Sequence, residues 1–175
     1  QARFIQIIVH SNYGRTDYSE IMELEVYGEA LERRTDIMDL SAGTVLLHYS
    51  SEYSEWYALS VLDGTPQNGW ASDRNSAPPH QLEFELPRKY LIDTLVLDNR
   101  GAEESTHPGV SAHKVEFYAS PSLNKNDYTL VATHEAKPGV FNYWQLDKPF
   151  QAQRIRLKVI SNNGGRTDYT EIMEL

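Results

Sequence analysis

The 175-residue chain contains no cysteine. Disulfides, thiolate metal sites and cysteine nucleophiles are thereby excluded, and cysteine usage says nothing about the redox compartment. A surplus of positive charge is also missing, since 16 Lys and Arg face 25 Asp and Glu for a formal net charge of −9. Nucleic acid and anionic membrane both call for a basic surface, so neither is expected as a partner. No apolar run approaches the roughly 20 residues that cross a bilayer. No charged-then-apolar leader stands at the start, and the chain opens at Gln1, as expected of a piece of a longer protein.

Catalytic signatures are lacking as well. The six histidines show no HxH or HExxH spacing, and there is no G-x-S-x-G elbow. Carboxylates are plentiful, but a glycosidase needs one pair at a set separation across a cleft. The reading is of a protein that is not an enzyme. Long amphipathic helical stripes are absent too; residues 29–36 and 54–62 have room for one or two helical turns each.

What the sequence does contain is alternation. Apolar and polar residues trade places at 4–9, 81–86 and 154–159, and further strands are expected at 92–97, 114–119, 128–134 and 143–146. Clusters such as Asp63-Gly64-Thr65-Pro66, His107-Pro108-Gly109 and Lys137-Pro138-Gly139 separate them. Short strands with turns at this spacing predict an all-β sandwich. The chain also repeats itself: RTDYSEIMEL at 15–24 returns as RTDYTEIMEL at 166–175, with only Ser19 replaced by Thr170. The strand before each copy matches too, and one extra residue around Asn163-Gly164 absorbs the shift. The offset is about one sandwich long, so tandem domains are expected rather than a solenoid.

Val61-Leu62-Asp63-Gly64, Gly69-Trp70-Ala71-Ser72, Leu82-Glu83-Phe84, Lys114 to Ser120 and Glu171-Ile172-Met173-Glu174-Leu175, in that order, resemble the discoidin, or F5/8 type C, family, which overlaps with family 32 carbohydrate-binding modules. The resemblance implies a jelly-roll β-sandwich of about eight strands with ligand loops clustered at one end, and often a structural calcium ion. It implies a non-catalytic binding module in an extracellular or cell-surface setting, with a carbohydrate or a cell-surface protein as partner. A protein-interaction, adhesion or spacer role in a tandem array is the alternative. Residues 1–28 then read as the closing strands of a preceding domain, or a duplicate closing segment. Residues 29–175 read as one discoidin-like domain with its last strand truncated, and its C-terminal repeat copy is expected to fill the sandwich.

Calcium wants six to eight oxygens from a rigid turn plus a carboxylate arriving from elsewhere. Carried over by motif, the resemblance assigns Asp63, Thr65, Ser72 and Glu174, with Glu171 as alternate. Thr65-Pro66 departs from the richest pattern, which has a second acidic or amide residue there, and an ordinary Asp-Gly turn capping its own backbone is the competing reading. A sugar needs an aromatic face and planar polar groups. The candidate loops offer Trp56 and Tyr57 beside Tyr53, Arg74 beside Asn75, Arg100 with His107, Asn142 with Tyr143, and Arg166 with Tyr169. Trp70 and Trp144 are assigned to packing.

Overall fold

The structure is a computed structural model that describes residues 6–10, 35–124, 126–166 and 168–175. The chain divides into two compact units, Gln1–Arg34 and Thr35–Leu175. In the first unit, Gln6 to His10 are exposed and form no strand, so the alternating run at 4–9 is not a strand over its described part. The first repeat copy and the helical turn expected at 29–36 lie outside the described residues, apart from Thr35 and Asp36, which are not helical.

The second unit is built from seven strands among the described residues: β1 (Val45–Tyr49), β2 (Trp70–Ala71), β3 (His80–Asp98), β4 (Lys114–Ser120), β5 (Thr129–Glu135), β6 (Phe141–Val159) and β7 (Glu171–Ile172). A five-stranded sheet runs β1-β3-β6-β4-β5, and β2 pairs with β7. Among the described residues helix is confined to two 3₁₀ turns, Leu40–Ala42 and Ala58–Leu62, the second inside the segment expected to turn.

The sequence suggests separate strands at 81–86 and 92–97, and at 143–146 and 154–159. The structure joins each pair into one 19-residue strand. The reason is visible in the ladder. His80–Glu85 pairs with the end of β6, Tyr90–Asp98 pairs with its beginning, and the register shifts between Glu85 and Tyr90 and again between Ile92 and Thr94. Such irregularities bend a strand and let it pass from one sheet to the other. Counted by half-strand, this is the jelly-roll sandwich expected from the resemblance, with the first half of β3 paired to β1 and the second half of β6 paired to β4. The second half of β3 reaches the segment just after β7 through the isolated Asp98–Glu174 bridge.

Period-two burial fills the space between the sheets. His80, Leu82, Phe84 and Leu86 point inward from β3, Val115, Phe117 and Ala119 from β4, and Ile155, Leu157 and Val159 from β6. Trp70, Ile172, Met173 and Leu175 close the other side, fully or nearly fully buried. Trp70 also donates its indole N–H to the Ser51 carbonyl at 2.7 Å. Trp144 packs at the edge of the core, stacked on His134 with centroids 4.5 Å apart. β1 carries no clean alternation, being an edge strand with Val45, Leu47 and Tyr49 exposed. The C-terminal repeat copy supplies β7 and thus sits within the sandwich.

Candidate functional site

Four loops meet at one end of the sandwich. Tyr53 donates its N–H to the Ala71 carbonyl at 2.9 Å, which ties its loop to β2. Asn162 accepts the Arg166 N–H at 2.7 Å and spends its amide on the Arg166 and Tyr169 carbonyls, closing the loop before β7. That loop leans on His107-Pro108-Gly109. Gly164 N–H bonds the Gly109 carbonyl at 2.9 Å, and a β-carbon on Gly109 would lie 2.3 Å from Gly164 Cα. Gly109 has φ +81°, so both its conformation and its neighbour demand glycine. The extra residue that distinguishes the second repeat copy falls at this contact.

The rings gathered there are Tyr53 and Tyr169, parallel within 2° and 5.9 Å apart, and His107, 5.4 Å from Tyr169. The Arg74 guanidinium lies 5.0 Å from the Tyr53 centroid and 5.9 Å from that of Tyr169, and Arg166 lies 5.7 Å from the latter. Arg166 is paired with Asp168, which holds the Asp168 carboxyl below the usual carboxylate range. His107 Nδ1 lies 3.0 Å from Glu103 Oε2, leaving Nε2 as the ring nitrogen without a protein partner among the described residues. Arg74 is exposed, and among the described residues no carboxylate pairs with it. Five planar or cationic groups therefore surround one patch, with donors outnumbering the partners present.

Beneath the patch, the Glu171 carboxyl is almost fully buried and accepts the Glu103 N–H at 2.8 Å. Burial pushes it up to about 7. Glu104 instead accepts from Gly109 N–H at 2.6 Å and Ser111 N–H at 3.0 Å, and these bonds, with the Ser111 hydroxyl, hold it below its ordinary value despite partial burial.

A second constellation lies at the Asp63-Gly64-Thr65 turn. Gly64 has φ +77°. Thr65 N–H is shared between Asp63 Oδ1 at 2.9 Å and Glu174 Oε2 at 3.1 Å. The other oxygen of Glu174 is buried and has no hydrogen-bond partner among the described residues. Burial, with the nearby charges of Asp63 and Asp36, pushes this carboxyl up to about 8. Asp39 approaches as well, its Oδ2 3.0 Å from where a Gly64 β-carbon would stand. Among the described residues, no three His, Asp or Glu side chains close up enough to hold a metal by themselves. A cation here would draw further oxygens from the Thr65 hydroxyl and the turn's carbonyls. The orphaned oxygen is what a hard cation would satisfy, so the residues fit calcium.

Of the residues picked from the sequence, Arg74, His107 and Arg166 come together, and Asp63, Thr65 and Glu174 come together. Ser72 does not join the turn. It is fully buried, its Oγ accepts the Thr170 N–H at 3.0 Å, and it sits opposite Thr170, four residues before Glu174. At about 3.3 Å per strand residue that is roughly 13 Å away. Asn142 is also corrected. It is 7% exposed and its amide is consumed by the Leu97, Lys137 and Val140 carbonyls and the Lys137 N–H. Arg100 lies apart, paired with Asp98 at 2.7 Å and resting over Phe141. Tyr143, on β6, donates to Gln145 at 3.2 Å. Trp56 is half-buried, and Tyr57, 51% exposed, opens on a separate groove of about 430 Å³ with Leu40, Tyr49 and Leu59. Tyr53 and Tyr169 were visible in the sequence as loop aromatics, but their mutual stacking was not. Asp36 and Asp39 carried no motif.

Comparison with known proteins matches the F5/8 type C domain family over residues 47–175. No curated protein sequence matches the chain. Among solved structures, the family 32 module of Clostridium perfringens NanJ, solved with galactose, is similar at 22% identity and a TM-score of 0.62, covering 75% of this chain and 90% of that one. The module CpGH89CBM32-5 of Clostridium perfringens, solved with GalNAc-β-1,3-galactose, gives 17% identity and a TM-score of 0.62 over 75% and 91%. The family 32 carbohydrate-binding module of Streptococcus pneumoniae EndoD gives 17% and 0.63 over 80% and 96%.

Proposed function

The chain belongs to the F5/8 type C domain family, and from that premise we propose that it is a non-catalytic module that binds a carbohydrate through its Tyr53–Tyr169 loop end, with a calcium ion supporting the Asp63 turn. The observation that carries the reading is the convergence of Arg74, Tyr53, Tyr169 and His107 on one patch. Tyr53, half-buried, offers ring surface to the C–H side of a sugar, Tyr169, 6% exposed, backs it from below, and the exposed Arg74 guanidinium presents forked donors to the sugar's hydroxyl oxygens. Among the described residues the Arg74 fork lies over the rings without a carboxylate, so those donors are available to a ligand. The His107 Nε2 adds a polar contact at the rim. Galactose and GalNAc-β-1,3-galactose, carried by two of the similar structures, are the first ligands to try.

Calcium would be held by Asp63, Thr65 and Glu174, where it supplies positive charge and fixes the turn; it has no contact with the sugar patch in this reading. Glycans are displayed outside the cytoplasm, so the module would act there. Residues 1–28 would be the closing end of a preceding discoidin-like domain, a reading supported by the near-identical RTDY[S/T]EIMEL copies. Titration calorimetry with the two sugars tests the central claim: binding is expected, and Arg74→Ala should weaken it about tenfold, the loss of one to two good hydrogen bonds. Unaltered binding by Arg74→Ala would move the site elsewhere on the surface.

A further inference from the structure

The loop end is carried by an arm, residues 103–109, that ends on His107 and the Gly109 contact. Both ends of this arm are pinned by one residue of the closing strand. The backbone of Glu171 donates to the Val110 carbonyl at 2.9 Å and accepts the Ala112 N–H at 2.9 Å, which fixes the arm's exit. The side chain of Glu171 reaches the arm's entry, where its Oε2 accepts the Glu103 N–H at 2.8 Å.

Glu103 in turn holds His107 twice. Its carbonyl accepts the His107 N–H at 2.7 Å, and its carboxylate lies 3.0 Å from His107 Nδ1. Glu104 does not duplicate the tether, because its bonds go to Gly109 and Ser111 within the same stretch of chain. Resting on the proposed sugar-binding function of this end, we propose that Glu171 is a positioning residue for the ligand patch, setting His107 through Glu103 without touching the ligand itself.

The charged groups facing Glu171 are Glu103, Glu104 and Arg166, with Tyr169 two residues before it. No cation pairs with Glu171 among the described residues, so the bond it accepts from Glu103 N–H is what ties its side chain to the arm. The side chain is 1% exposed, so a ligand cannot reach it, which separates positioning from direct contact.

The test compares Glu171→Gln, which keeps an acceptor, with Glu171→Met, which keeps volume and removes it. In the ligand-free protein, Glu171→Met should speed hydrogen exchange of the Glu103 amide about tenfold and broaden or shift the His107 ring signals in nitrogen-correlated NMR; Glu171→Gln should leave both near wild type. Galactose affinity should fall about fivefold in Glu171→Met and recover in Glu171→Gln. In a His107→Ala background the methionine change should cost nothing further, as expected for two residues acting in one unit. Unchanged Glu103 and His107 signals in folded Glu171→Met, or losses that add fully with His107→Ala, would overturn the proposal. Should galactose fail to bind, the NMR comparison still decides the positioning role, while the sugar-binding reading falls separately.

Discussion

Glu171 and Glu174 stand three residues apart in the closing segment and serve different regions. Both carboxyls are buried, and both are pushed well above the ordinary value, to about 7 and about 8. Glu171 has its visible need met, with Glu103 N–H on one oxygen. Glu174 has one oxygen on the Thr65 N–H and the other without a hydrogen-bond partner among the described residues, near the charges of Asp63 and Asp36. The loop end is thus organised by hydrogen bonds that the protein supplies itself. The turn end has an acceptor surplus that an outside cation would balance. A buried polar atom with no partner is costly, and among the described residues that cost falls on Glu174 and not on Glu171.

The harshest way to break the comparison is to loosen what the two glutamates share. Ile172 lies between them, fully buried opposite Trp70. Ile172→Ala should cost about 2–4 kcal/mol by urea denaturation and impair calcium response and sugar binding together. Loss of only one would show that the two ends are not mechanically joined by β7. Next comes the turn. Calcium at about a hundredfold over its dissociation constant should stabilise the chelator-treated protein by roughly 2.7 kcal/mol, read as a rise in Tm. Glu174→Gln should abolish that rise and leave galactose binding in place.

A smaller effect should come from pH at the other glutamate. The folded pKa of Glu171 lies above its unfolded value. Its contribution is therefore fully present below about pH 4.5 and is lost as pH rises through about 7, when the buried carboxyl must ionise. Glu171→Gln should gain roughly 1–2 kcal/mol on wild type at pH 8.5 and nothing at pH 4.5, measured by denaturation at the two pH values. The smallest is Ser72→Ala. It strips the Thr170 N–H of its buried acceptor for about 1 kcal/mol and should leave the calcium-induced rise in Tm intact; a lost calcium response would restore Ser72 to the turn.

Much of the frame could be read without coordinates. Alternation at 81–86, 114–119 and 154–159 marks half-buried strands, and the order of the weak motifs resembles the right family. The joining of strands across 87–91 was not readable, because Pro87 and the polar residues after it look like a break, whereas in the fold they form the bend between sheets. Site residues divided in the same way. Arg74, His107 and Arg166 stand in loops whose composition already marked them. Asn142 carries the same side chain as a ligand-binding amide, and only its burial among backbone carbonyls shows that its bonds are spent. Ser72 failed through register, since a shift of a few residues along β7 decides whether it meets Glu174 or Thr170.

By itself the sequence determined the class of fold, the exclusion of thiol chemistry and of a basic binding surface, and the residues available to each loop. These follow from periodicity and composition, which are local properties. Only the tertiary structure decided which loops meet, that Tyr53 stacks on Tyr169, that Glu171 pins an arm ending at His107, and that one oxygen of Glu174 has no hydrogen-bond partner among the described residues. Each of these depends on contacts between segments far apart in the chain, and such contacts are set by how the two sheets close over the core.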